Sequence, residues 1–409
     1  MKFSKLSQLL LVSVIGLTVA TLLTSCEIAT IDYVFVASST SAGGAGQILT
    51  YDVDSRSGAL RTGQPSIPSG GTLPVAMAVD SIYQNLYVAN QGNNSVVHFT
   101  INGSGVLTQA GAITAHSLPV GLAVNMAGTY LYVLSGPSPT VLTVYSLSNG
   151  AIGSQVAEQT LVLPSPYASD VLVPTGITVL VNNGIETGNA VFVSAVDQSA
   201  YNPGGPPTTS TANPGWVFGF SIGSGSALSA SPDSPFKAGV SPSAIASTPT
   251  NEYVYVTDFA DSTLIAYSVR DGVSLYPLIN GPFKTGNLPT ALAIDPRGKY
   301  IYVANSTSTS AGGGTVSCYI IDLASGTPSA EAVTGNATDT DPVAITVDAG
   351  IGRFVFTANH IGDSVSGFTL SPDTGEITGN QASPYPAGYH PTAVVTIPTG
   401  SHSSQTVTP

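Results

Sequence analysis

A chain of 409 residues with 8% charged side chains and a formal net charge of −13 has too few cations to build a nucleic-acid groove, so nucleic acid is excluded as a partner. Its 43% hydrophobic content is more than disordered chains carry and calls for a substantial core. Of its two cysteines one falls at the edge of an apolar N-terminal stretch, leaving Cys318 alone and no internal disulfide to stabilise the fold.

Lys2 and Lys5 precede the apolar run at residues 9–23, which leads into Leu23-Thr24-Ser25-Cys26. A charged start, a short apolar run and small residues at its end predict a secretory signal over residues 1–25, and the run is too short to span a bilayer core. The tetrad resembles the bacterial lipobox. That resemblance implies lipidation at Cys26, a tether over residues 26–30, attachment to a membrane through the lipid, and a place in the cell envelope. Glu27, in place of aspartate, implies sorting to an outer membrane where the cell has one. Loss of Lys2 and Lys5 leaves eight cations against 23 acidic side chains.

Beyond the tether, three phrases recur. The first is led by proline and alternates small with larger residues; it starts at Pro74, Pro119, Pro174, Pro242, Pro289, Pro342 and Pro391. The second runs from VFVAS at Val34 through LYVAN at Leu86 and IYVAN at Ile301 to VFTAN at Val355. The third ends aromatic-x-aliphatic, from ILTYDV at Ile48 to VSGFTL at Val365. A glycine turn follows each: Gly58, Gly105, Gly150, Gly225, Gly272, Gly326 and Gly375. Short runs rich in Val, Ile, Tyr, Phe and Thr, bounded by Gly, Pro, Asn or Asp, predict strands and tight turns. Small residues at every second position suit a strand crowded near an axis, and a leading proline suits the first residue of a strand.

Four short strands repeated seven times predict an all-β, seven-bladed β-propeller over residues 31–398, with a polar tail at 399–409. The repeat opens on a second phrase and ends on a lone first phrase. The last blade is therefore expected to close by pairing the C-terminal innermost strand with N-terminal strands, giving one domain and a monomer.

The units LYVAN, IYVAN and VYVTD resemble the YVTN-type propeller repeat, and residues 31–398 are similar to the lactonase propeller family, which includes a 6-phosphogluconolactonase. The resemblance implies the seven-bladed fold and, as an activity, the opening of a sugar or related lactone. It also implies His, Arg and acidic groups over the central channel, although no His-Pro-His phrase occurs in this chain.

In such a ring, one face collects the loops entering the innermost strands and those joining second to third strands. On that face the sequence places a possible acid–base cluster of His360, His390, Asp363 and Asp341, since histidine beside a carboxylate can move a proton near neutral pH. The same groups suit a divalent cation; otherwise no cofactor is expected. Asn90, His116, Asp197, Trp216, Asp258, Asp261, Asn305 and Tyr389 on this face are candidate binding residues. Asx-turns explain many such groups equally well. His98 and Cys318 fall within third strands as packing residues, and Arg297 and Arg353 fall in turns of the opposite face. The insertion at 198–216, flanked by Tyr201 and Trp216, breaks one second-to-third connection. Two functions follow as expectations: an envelope binding module for a glycan, peptide or protein, or a lactonase-like hydrolase.

Overall fold

The computed structural model describes residues 29–165, 167–180, 190–198, 215–223, 227–306, 313–329 and 333–399. The predicted signal, Cys26 and most of the tether lie outside these residues, as do Tyr201, most of the insertion and nearly all of the tail. Among the described residues no helix is long and apolar enough to cross a membrane, and the one helical element is the 3-10 turn Gln91–Asn93.

Seven antiparallel sheets surround an axis. Blades 1 to 6 start with the innermost strands Pro74–Val79, Pro119–Val124, Leu172–Val179, Pro242–Ser247, Pro289–Ile294 and Pro342–Val347. Each blade then runs outward through three further strands in chain order. Blade 7 is composite. Its innermost strand, Tyr389–Pro398, pairs with Thr30–Ser39, and Ala45–Asp54 and Leu60–Thr62 follow outward. Each innermost strand touches its neighbours on both sides, and the last returns to the first. The expected fold, blade number and mode of closure are all borne out.

The repeat phrases are explained by contacts between blades. Second strands such as Asn85–Asn90, Tyr300–Asn305 and Phe354–Asn359 are buried at every position, because a sheet lies against each face. Their central aromatic spans the gap between blades: Tyr87, Tyr255 and Tyr302 donate their hydroxyls to the carbonyls of Gly150, Gly326 and Gly375 in the next blade, at 2.6, 2.7 and 2.8 Å. Those three glycines have φ of +82°, +68° and +76°, the left-handed region that glycine enters without steric cost. A second latch runs the other way. The third-strand tyrosines Tyr51, Tyr267 and Tyr319 donate to the carbonyls of Pro386, Lys237 and Lys284 in the preceding blade.

One feature departs from four plain strands. In blades 3, 4, 6 and 7 the third strand also pairs with a short extra piece: Phe236–Lys237, Phe283–Lys284, Tyr385–Pro386 and Ile67–Thr72. In three of these the piece follows a proline, Pro235, Pro282 or Pro384, which has no N–H to continue a ladder and so splits the outer edge in two.

His98 and Cys318 are core residues, as expected. His98 bonds Asn85 at 2.8 Å and stacks on Tyr87, and the Cys318 thiol donates to the Gly375 carbonyl. Arg297 is buried in its turn, held by Asp295 at 2.7 Å and donating to the Gly352 carbonyl of the next blade. It is part of the framework and is not available to clamp an anion.

Candidate functional site at the channel mouth

The innermost strands enclose an open channel of about 290 Å³. Every blade contributes one alanine or glycine to its wall, from Ala76 round to Ala393, and at least one larger aliphatic side chain, from Met77 round to Val394. The hydroxyls that follow the leading prolines are already committed. Ser243, Thr290 and Thr392 donate to the carbonyls of Pro289, Pro342 and Pro74 in the next blade, and Thr175 pairs with Ser194 at 2.9 Å. No ionisable group lines this wall.

Charge and imidazole gather immediately above it, where blades 6 and 7 meet. Each innermost strand is entered through a residue before its proline, and five of these residues have positive φ: Leu73, Leu118, Leu288, Asp341 and His390, at 50–59°. The left-handed conformation is uncommon for a bulky residue and easier for Asp or His. Three blades place leucine here, and only the last two place a group able to carry charge. Comparing this one position across the repeat, TLPV, SLPV and NLPT against TDPV and YHPT, isolates Asp341 and His390 from sequence.

The two histidines meet ring against ring, their planes tilted by 38°. The His390 ring lies 3.8 Å from the Tyr389 ring and 4.3 Å from the His360 ring, centroid to centroid. His360 is anchored through its backbone, whose N–H donates to the Asp341 carbonyl at 2.7 Å, and the Pro391 carbonyl acts on its ring. Burial, then the neighbouring His390, holds its pKa below the ordinary histidine value; the Pro391 carbonyl, Asp341 and Asp363 act in the opposite sense. The imidazole is thus kept neutral around pH 7.

The two carboxylates do not hydrogen-bond either ring among the described residues. Asp363 Oδ1 accepts the backbone N–H of His390 at 2.7 Å. The same clip holds Leu118 through Asn94 Oδ1 and Leu288 through Ser262 Oγ, so the repeat specifies it. Asp341 Oδ1 accepts the Ser306 hydroxyl at 2.7 Å, a partner that sequence reading missed because Ser306 belongs to the preceding blade. Among the described residues no group of three or more His, Cys, Asp or Glu gathers to hold a metal ion.

The other candidates lie elsewhere or inside the framework. Asn90 and Asn305, each ending a second strand, are buried: Asn90 exchanges hydrogen bonds with Ser69, and Asn305 donates to Ser317 at 2.9 Å. Asp258 is also buried and accepts the backbone N–H groups of Val240, Ser241 and Ala260. His116 reaches outward to Glu158 on an outer strand at 2.9 Å, and that hydrogen bond holds the Glu158 carboxyl below its usual range. A second group forms in blades 3 and 4. Lys237 Nζ stands 3.6 Å above the Trp216 ring, with Asp197 acting on the ammonium. Asp261, Lys237 and Tyr267 line a pocket of about 220 Å³ beside it, where burial pushes the Asp261 carboxyl up.

Comparison with known proteins agrees with this fold. The profile of the family "Lactonase, 7-bladed beta-propeller" matches residues 24–124, 47–168 and 220–332. No sequence match was found among curated proteins. Among solved structures, the periplasmic gluconolactonase of Pseudomonas aeruginosa superposes with a TM-score of 0.69 at 16% identity, covering 90% of this chain and 99% of that one. A Bacteroides fragilis protein named as a candidate 6-phosphogluconolactonase gives 0.67 at 16% identity, with 90% and 98% covered. A protein of unknown function from Desulfotomaculum acetoxidans gives 0.64 at 16% identity, with 90% and 100% covered. At such identities the superpositions establish the fold alone.

Proposed function

The chain belongs to the seven-bladed β-propeller lactonase family, and from that premise we propose that it hydrolyses a lactone at the channel mouth, with His360 as the proton-transferring group. The observation that carries this reading is the His360–His390 pair directly above the innermost strand of blade 7. The Pro391 carbonyl favours a proton on the His360 ring nitrogen that faces it, and the neutral ring keeps a lone pair on the other. That nitrogen takes a proton from water as the water oxygen attacks the lactone carbonyl. The resulting imidazolium returns the proton to the ring oxygen as the carbon–oxygen bond breaks, giving a hydroxy acid. His390, packed between Tyr389 and His360, fixes the plane of the His360 ring. Export by residues 1–25 and anchoring at Cys26 complete the proposal, which places the activity in the cell envelope; one structural neighbour is itself described as periplasmic. A non-catalytic binding module for a glycan, peptide or protein has no comparable observation in its favour.

The test is a lactone-hydrolysis panel on residues 27–409, comparing the natural chain with His360→Gln and His390→Ala. We expect His360→Gln to lower kcat/KM by about 100-fold or more. Because the folded pKa of His360 is depressed, the acid limb of the natural profile should have its midpoint below pH 6.5. Unchanged kcat/KM in folded His360→Gln would reject the assignment.

A further inference from the structure

We propose that the face of the ring carrying the first-to-second and third-to-fourth turns rests on the lipid bilayer, so that the channel mouth points into water. The inference rests on lipid anchoring at Cys26 and adds how the anchored ring sits. The Ala29 carbonyl accepts the backbone N–H of Ser55 at 3.0 Å, beside the turn that follows the third strand of blade 7. Thr30 pairs with Asp54 at that same end of the blade, and its hydroxyl accepts a hydrogen bond from Arg61 at 3.4 Å. Cys26 lies three residues before Ala29, and three extended residues span at most about 11 Å. The second strand of blade 7 has ten residues, Thr30–Ser39, which cover about 30 Å at an ordinary rise. A lipid on Cys26 therefore reaches the bilayer from the turn face and not from the mouth, where Ser39 pairs with Tyr389.

The side chains around the tether suit that contact. Arg56, Arg61 and Arg353 are exposed there, against the exposed acids Asp373 and Glu376, while Asp32 and Asp348 are buried. Arginine at a bilayer surface is drawn to anionic headgroups. Elsewhere on the turn face Arg270 and Lys299 are matched by Glu252, Asp271 and Asp322, so the basic sector is the one beside the tether. In the next two blades the turns present Ile82 and Met126, 61% and 53% exposed, and the Ser81 hydroxyl ties these turns together by donating to the Met126 carbonyl at 2.6 Å. Apolar exposure alone does not choose the face, because Leu73, Leu118 and Ile361 are exposed at the mouth. The reach of the tether chooses it, and charge agrees. At the mouth Asp170, Asp261, Asp339, Asp341 and Asp363 meet solvent wholly or in part, against Lys237 and Lys284. In this orientation a substrate reaches His360 from the aqueous side rather than out of the bilayer.

The experiment uses the full chain, expressed in a bacterial host with its own signal and reconstituted into phosphatidylethanolamine–phosphatidylglycerol vesicles that carry a headgroup nitroxide. Mass analysis of the N-terminal peptide first reads the lipid on Cys26. A fluorophore is then attached singly at Ile82→Cys, Met126→Cys or Ile361→Cys; the thiol of Cys318 is buried and stays unlabelled. We expect quenching at positions 82 and 126 to exceed that at 361 by about threefold or more, since the mouth stands a strand length of about 30 Å from the turns. Met126 lies two blades round from the anchor, so quenching at 82 without 126 means that the ring has tipped onto the outer edge of blade 7. That pattern overturns the inference, as does quenching at 361 equal to or above that at 82, or quenching at none of the three. With lipid found on Cys26, each of these outcomes leaves the anchor standing. A chain without the lipid removes the anchor and the inference together, and the hydrolase assignment is untouched in every case.

Discussion

Asp32 shows how much one residue can set against the rest of the fold. It lies near the start of the second strand of the composite blade, is fully buried, and neither oxygen has a hydrogen-bond partner within ordinary geometry. Burial first, and then the neighbouring Asp348 carboxylate, push its pKa up to about 9, with Arg353 pulling the other way. Tyr83 faces the same two carboxylates and Asp80, and its pKa is raised chiefly by burial. The folded chain therefore holds a proton on Asp32 that the unfolded chain releases above the ordinary aspartate pKa of 3.8. Stability from this group is complete below that value and is lost as pH climbs toward 9, with a limiting slope of about 1.4 kcal/mol per pH unit. Asp32→Asn copies the protonated form. Its melting temperature should exceed that of the natural chain at pH 8, with the difference shrinking toward pH 4; parallel melting curves at both pH values would refute the assignment.

At the level of the element, latches between blades add to the strand pairs within each. Tyr302 donates to the Gly375 carbonyl across the gap, while Phe192 and Phe356 fill the same register in other blades without a hydroxyl. A phenylalanine therefore fits, and Tyr302→Phe should cost about 1 kcal/mol in urea unfolding, the net worth of one hydrogen bond. Gly375→Ala should cost more, at least about 2 kcal/mol. The glycine has φ of +76°, and an added Cβ would stand 2.3 Å from the Tyr300 ring. If both substitutions cost the same, the left-handed turn is less constrained than its geometry indicates.

The whole ring depends on one non-local pairing. Asp32 to Ser39 pair with Pro398 back to Tyr389, and among the described residues no disulfide backs up that closure. Without Tyr389–Pro398, blade 7 loses its innermost strand, and blades 1 and 6 each lose the strand they pack against near the axis. A chain ending at Gly388 should fail to show a single cooperative melting transition by circular dichroism, measured against a chain ending at Thr399. The same deletion removes His390, so closure of the ring and assembly of the proposed site are one event.

The periodicity of the chain determined the architecture by itself. Seven copies of three phrases admit few solutions, because a strand buried on both faces needs a sheet on each side and the small residues of PTALAID need a crowded axis. The tyrosine of IYVAN and the glycine after each third strand were legible as motif, although their partnership across blades was not. Even the last letter of that phrase, Asn305, is a buried tie within the framework. The split outer edges were hidden because SPFK, GPFK and SPYP are too short to register as strands. The site is a different matter. His360 and His390 are 30 positions apart on two blades, and only closure of the ring brings them into contact. Which carboxylates serve the repeat and which side chains bear on the imidazoles depends on which neighbour each loop meets. Sequence fixes the period of a repeat through local sterics and burial, whereas chemistry at the axis comes from loops brought together by a pairing spanning nearly the whole chain.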